Sequence, residues 1–251
     1  MRYFLILLGL SAQVMLYGQA KIDQSFDLQK AKVIKFDFKW PKLIKLTSWE
    51  GDQVNISGTA TLNNGEHDDA FKIKSSRSDG ILNIYSEIED LENLPERIAI
   101  KRDGMEYFFN TENWNDPEVQ KFLDRDGRKG YEYMSKGVIK DIKLEIRVPK
   151  GQKVVLASKY GLLEVTGLEN DLEANAKYGG IDVTLAGKKK AIVAKTKFGE
   201  IYSNLPYDLK SNRTDFSNNH KWTVVRSETG NSAGALELES KYGNVFLRKE
   251  E

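Results

Sequence analysis

The chain has 251 residues, 40% of them hydrophobic and 30% charged, as expected of a folded globular protein. Its 38 basic and 37 acidic residues leave a formal net charge of +1, which removes any global field for holding nucleic acid or an anionic membrane. Cysteine is absent and histidine occurs only as His67 and His220. Disulfides, thiolate catalysis, thiolate metal sites, a lipid-modified cysteine and a multi-histidine metal centre within one chain are therefore excluded.

The first twenty residues, MRYFLILLGLSAQVMLYGQA, read as a secretory signal peptide. Arg2 is the positive n-region, Tyr3 to Leu10 the apolar h-region, and Gly18 and Ala20 the small residues of a cleavage site. Cleavage is expected after Ala20, with Gln19 as the competing position. The apolar stretch is short for a bilayer span, and no later segment reaches spanning length. The mature protein is expected to be secreted, periplasmic or at the cell surface, as a non-lipoprotein without a transmembrane segment. A secreted chain without cysteine fits a bacterial source.

Residues 21–251 are expected to form a single domain in three parts. From 21 to 88 short alternating runs (KVIKFDFKW, KLIKLTSW, DQVNISGTATL, DAFKIKSS, GILNIYSEI) are broken by Gly51, Asn63-Asn64-Gly65 and Asp79-Gly80. This spacing argues for β structure with Val33, Leu43, Ile44, Leu46, Val54, Ile56, Phe71, Ile73, Leu82 and Ile84 inward. Trp40-Pro41 marks a strand edge or bend, because proline cannot donate to a ladder. Residues 89–136 are polar and punctuated and read as an insertion. They are too aromatic for a disordered linker, and Asp116-Pro117-Glu118 opens one short helix running to about Leu123. Strict alternation returns in DIKLEIRVPKG.

The second half carries a repeat. Tyr160-Gly161, Tyr178-Gly179, Phe198-Gly199 and Tyr242-Gly243 each follow a lysine: Lys159, Lys177, Lys197 and Lys241. With the aromatic as position zero, Val154, Leu172, Ile192 and Leu236 stand at minus six. Leu156, Ala174, Ala194 and Leu238 stand at minus four. Small residues fill minus two, and Leu163, Ile181, Ile201 and Val245 stand at plus three. A repeat of about 20 residues with two short strands per repeat is a solenoid signal. The glycine turns the chain, needing either positive φ or a close approach of stacked backbones. The 44-residue gap before Tyr242 is about twice the other spacings, which predicts a degenerate coil between Leu205 and Leu236.

In the preferred structural reading, the aromatic column fills the core at each corner or caps its edge, and the lysines point outward between acidic neighbours. Phenylalanine at the same position makes the hydroxyl dispensable. The alternative is that the tyrosine–lysine ladder forms a binding strip for glycans or anionic polymers.

A signal peptide, an early segment ending LTSWEGDQVNISG and recurring KYGxI coils together resemble the putative adhesin family of bacterial cell-envelope proteins, the toastrack-type β-solenoid domains common in Bacteroidetes. The resemblance covers Lys32 to Leu247 apart from the insertion. It implies an all-β, right-handed β-solenoid at an envelope or secreted location, and it carries no catalytic residues to transfer.

No catalytic, cofactor-binding or metal-ligating residue stands out. Asp124-Arg125-Asp126-Gly127 has the beginning of a calcium loop, but Ser135 stands where its terminal glutamate would fall. Glu66-His67-Asp68-Asp69 reads as a solvated turn, His220 as a loop tip, and Lys188-Lys189-Lys190 as a solubilising turn. Serine-hydrolase, P-loop and zinc-protease motifs are absent. The leading expectation is a non-enzymatic adhesin-like, scaffold or envelope-associated binding module with an unknown protein or glycan partner. Its rivals are a glycosidase or polysaccharide lyase on a β-helix, or a periplasmic regulatory partner of an envelope stress system. Lys32–Trp40 is expected to cap one end of the body and the Tyr242 coil to form the other, giving a monomer with a charged cap or an end-to-end dimer.

Overall fold

A computed structural model describes residues 20–124, 130–185, 190–206, 208–212, 222–227 and 234–250. Residues 1–19 of the expected signal peptide, most of the calcium-like stretch, Lys188 and Lys189, His220 and much of the expected degenerate coil lie outside these residues.

The protein is mostly β, with one short α-helix. The strands in the first part are β1 (Ala20–Asp27), β2 (Val33–Phe38), β3 (Leu43–Trp49), β4 (Gln53–Leu62), β5 (Phe71–Ser78) and β6 (Ile81–Ile88). The inserted part holds β7 (Arg97–Arg102), β8 (Met105–Phe109), α1 (Pro117–Leu123) and β9 (Tyr133–Gly137). Next come β10 (Lys140–Pro149), β11 (Lys153–Ser158), β12 (Leu162–Thr166), β13 (Leu172–Ala176) and β14 (Ile181–Leu185). The chain continues through β15 (Ala191–Thr196), β16 (Ile201–Ser203), β17 (Leu209–Asn212), β18 (Thr223–Ser227), β19 (Ala235–Ser240) and β20 (Val245–Lys249).

Two large mixed sheets share one core. One has the order β1-β4-β10-β3-β12-β14-β20-β16, the other β17-β18-β15-β19-β13-β11-β2-β6-β5, and neither closes on itself. Five segments contribute one strand to each sheet: β2–β3, β11–β12, β13–β14, β19–β20 and β15–β16, in spatial order. Their strands pair in parallel and in register. Ile34, Val154, Leu172, Leu236 and Ile192 align in one sheet. Ile44, Leu163, Ile181, Val245 and Ile201 align in the other. Equivalent apolar residues thus stack through the core, each fully buried aliphatic side chain contributing about 1.5–3 kcal/mol.

Three features of this order differ from the sequence expectation. The last segment, β19–β20, is internal. It lies between β13–β14 and β15–β16, and every flank offers the same apolar register, so periodicity alone does not rank the coils. The described strands of the expected degenerate coil, β17 and β18, form an antiparallel pair on the free edge of β15 and add nothing to the other sheet. Lys32–Trp40 is likewise no cap. Its strand β2 lies between β11 and β6, and the hairpin β5–β6 in one sheet and the antiparallel strands β10, β4 and β1 in the other finish that end.

Local patterns account for most strands. In β2 the inward residues are Ile34, Phe36 and Phe38, with Val33 only half-buried; in β3 Ile44 turns inward rather than Leu43. Residues 89–136 build a separate three-stranded antiparallel sheet, β8-β7-β9, which the sequence reading left as irregular chain. Ile98, Ile100 and Val119 form its small core, with Phe109, Trp114 and Phe122 packed around them. The helix begins as expected: Pro117 occupies its first turn and the Asp116 carboxylate accepts from Glu118 N–H at 2.9 Å.

Candidate functional site

The repeat corners are built from backbone outward. Strands β11, β13, β15 and β19 all end at the small residue two before the aromatic. The chain then bends, and stacked corners bond to one another. Tyr178 N–H donates to Lys159 C=O at 2.9 Å, Tyr242 N–H to Lys177 C=O at 3.1 Å, and Phe198 N–H to Lys241 C=O at 3.0 Å. The glycines are required by this close approach rather than by positive φ. A Cβ on Gly179 would collide with the carbonyl of Gly161, one on Gly243 with that of Gly179, and one on Gly199 with that of Gly243. The hydroxyls at minus two close the bend. Ser240 Oγ accepts from Gly243 N–H and donates to Gly179 C=O, both at 2.9 Å, and Thr196 does the same with Gly199 and Gly243.

The aromatic rings form one column on the surface. Its order is Trp40, Tyr160, Tyr178, Tyr242, Phe198, with centroid spacings of 5.6, 5.4, 5.1 and 4.9 Å and planes within 12° of parallel. Tyr160, Tyr178, Tyr242 and Phe198 are 45%, 47%, 44% and 54% exposed. At this exposure the rings do not fill the core, which corrects that half of the expectation. Strand alternation would point position zero inward, but the strand ends two residues earlier and the bend turns the ring out. Centroid spacings this large between near-parallel rings mean offset stacking, so a strip of each face stays uncovered.

A lysine ammonium lies over each ring: Lys39 at 4.2 Å from the Trp40 centroid, Lys159 at 5.0 Å, Lys177 at 5.1 Å, Lys241 at 5.2 Å and Lys197 at 5.4 Å from theirs. The five lie just past the ends of neighbouring strands, in one row. Among the described residues none has a carboxylate within ion-pair distance, contrary to the expected acidic neighbours. Lysines at a strand spacing of about 4.8 Å repel by roughly 0.9 kcal/mol per adjacent pair in bulk water before salt screening. The cation–π contacts return about 0.5–1 kcal/mol each. The row is therefore close to neutral for stability.

Trp40 is the rung that the sequence reading missed. Lys39-Trp40-Pro41 replaces Lys-Tyr-Gly, and Ile44 stands four residues past Trp40 where Leu163 stands three past Tyr160. The extra corner residue hid the match.

At the Trp40 end the column opens into a cleft of about 370 Å³ between the body and the small sheet. Trp40, Tyr160, Phe108 and Tyr133 give it aromatic walls. Among its lining residues Glu106 is the one carboxylate, against Lys42, Arg97, Lys136 and Lys140. Arg97 and Lys136 are held by Glu66 and Glu96, both at 2.8 Å. Lys140 is not held by a carboxylate among the described residues. Its ammonium donates to Val138 C=O at 2.6 Å and lies 4.8 Å from the Trp40 centroid. Burial lowers its pKa below the ordinary lysine value, and the like charge of Lys39 adds to this.

The remaining candidates have structural roles where they are described. Asp68 is buried rather than in a solvated turn; its carboxylate accepts from Leu62 N–H at 2.6 Å and Ala20 N–H at 3.2 Å. Lys190 is also buried, donating to Leu168 and Asn170 carbonyls at 3.0 Å, so it tethers a loop rather than solubilising a turn. No cluster of three or more metal-ligating side chains occurs among the described residues. Glu132 has its pKa lowered by its hydrogen bonds to Lys101 and to Gly104 N–H, the opposite of what a general acid requires.

No family model matches the chain, and no curated protein matches it in sequence. In structure it resembles a putative cell adhesion protein from Clostridium sporogenes, with a TM-score of 0.50 at 10% identity over 93% of this chain and 100% of that one. A likeness at this identity is one of fold. No helix among the described residues is long and apolar enough to cross a membrane.

Proposed function

We propose that the chain is a non-enzymatic β-solenoid of the secreted or cell-surface kind, acting as an adhesin-like binding or scaffold module. The parallel, in-register stacking of five two-strand segments supports the solenoid reading, and the right hand is part of the proposal. The observation that carries the binding reading is the exposed column of five ring–lysine pairs. Large exposed aromatics beside cations that have no carboxylate partner among the described residues contribute little to the fold and suit a partner surface. The fold neighbour, a putative cell adhesion protein, points the same way.

The glycosidase form of the rival reading needs two carboxylates flanking a bond, and among the described lining residues of the cleft Glu106 is the one carboxylate. The test is to incubate the purified chain with fixed bacterial cells and with a panel of soluble polysaccharides. Retention on the cells without release of new reducing ends or unsaturated sugars is the expected result. Turnover of any polysaccharide, or failure to be retained, overturns the reading.

A further inference from the structure

We propose that the lysine row recognises a linear acidic polysaccharide lying along the column, one negatively charged group to each one or two coils. This rests on the binding-module reading and names its ligand. The charge pattern is the first argument. Lys39, Lys159, Lys177, Lys241 and Lys197 present five cations without a carboxylate in ion-pair distance among the described residues, at the ends of adjacent strands and spanning about 19 Å at the ordinary strand spacing. Lys140 extends the row into the cleft, over the same Trp40 ring as Lys39. Like charges directly opposite each other disfavour the sheet, so the row gains its use when an anion neutralises it.

Geometry then chooses among polyanions. A sugar in an extended glycan advances by nearly the strand spacing, so its acidic groups keep step with the coils. An extended acidic peptide places same-side carboxylates about 6.8 Å apart, twice the residue rise, and drifts out of register within a few rungs. Single-stranded nucleic acid binds by stacking bases on free ring faces. Here the inner faces already cover one another at 4.9–5.6 Å. Polyphosphate has no apolar surface to set against the uncovered strips of the rings, whereas an acidic sugar carries its charge beside a C–H face. The ammonium is a compact point charge without the planar fork that prefers one oxyanion, so carboxylated and sulfated sugars both satisfy it.

The test is affinity electrophoresis and calorimetry of the purified full chain with polygalacturonate, dextran sulfate, unmodified dextran, polyphosphate and single-stranded DNA. The inference requires binding to polygalacturonate, dextran sulfate or both, which tells carboxylate from sulfate recognition. It also requires no binding to dextran and at least tenfold weaker binding to polyphosphate and DNA. The variant Lys159→Gln/Lys177→Gln/Lys241→Gln is expected to lose at least tenfold in affinity with an unfolding midpoint within a few degrees of the parent. Lys45→Gln, on the flat sheet face, is expected to change affinity less than twofold. Undiminished binding by the triple variant overturns the row as the site. Equal binding of DNA or polyphosphate overturns the sugar specificity. Absence of binding to both acidic polysaccharides overturns the inference alone if the chain is still retained on cells, and falls together with the binding-module reading if it is not.

Discussion

The same two-strand segments carry two charged rows a few residues apart, and they follow opposite rules. On the flat face of the first sheet, Lys45 meets Glu164 at 3.7 Å, and Asp182, next in line, holds Arg248 at 2.8 Å. Glu164 and Asp182 stand side by side, but each has a basic residue within ion-pair distance, so this row needs nothing outside the chain. At the corner, five lysines of one sign stand over a column of rings without a carboxylate partner among the described residues. A periodic body copies any residue choice onto every level, so repulsion is copied as faithfully as attraction. Where the copied choice is repulsive, its use lies outside the stability of the fold.

The largest expected effect comes from removing both rows at one level. Truncation after Gly234 deletes Lys241 and Arg248 together with β19 and β20 from the middle of both sheets. Leu236, Leu238, Val245 and Leu247, each at most 1% exposed, leave with them. Four buried aliphatics at about 1.5–3 kcal/mol each equal or exceed much of a domain's net stability of about 5–15 kcal/mol. Thermal unfolding of the truncated chain is expected to show no cooperative transition. A midpoint within a few degrees of the parent would mean that the last segment is terminal after all.

Next comes a change confined to the corner. Gly179→Ala forces a Cβ against the Gly161 carbonyl, where backbone meets backbone and no side chain can swing away. We expect a loss of about 3 kcal/mol, at the upper end for overpacking. Gly80→Ala, in a hairpin turn at φ +76° with open space around it, costs only the left-handed strain of about 1 kcal/mol. Urea titrations of the two variants measure the contrast. Equal losses would mean that the corners need glycine for its φ and not for its size.

The corners were also the most legible part of the sequence. Tyr-Gly or Phe-Gly behind lysine, with aliphatics at minus six and plus three, marks the register that the sheets adopt at Val154, Leu172, Leu236 and Ile192. What the pattern omits is order. Leu172 is followed in space by Leu236 and not by Ile192, because identical inward faces make any two coils compatible neighbours. Ring orientation was also hidden. Whether Tyr160 points in or out depends on β11 ending at Ser158, and a strand end is set by the backbone bonds of the stacked corners rather than by polarity. The inserted sheet was missed for a third reason. In RIAIKR both Ile98 and Ala99 are buried, so β7 lacks the clean alternation of a half-buried strand.

The smallest expected effect separates the two rows by sign. Lys177→Gln removes the central cation of the corner row, with Lys159 and Lys241 on either side. Two repulsions vanish and one cation–π contact is lost, so at low salt stability should rise by a few tenths of a kcal/mol. Lys45→Gln removes one member of an exposed ion pair and should lower stability by a similar few tenths. Both differences should shrink toward zero near 1 M salt, where the screening length falls to about 3 Å. Paired unfolding curves at low and high salt resolve the signs. A loss at Lys177 as large as that at Lys45 would show the corner lysines to be structural members of the stack, and would remove the reason for seeking an anion to meet them.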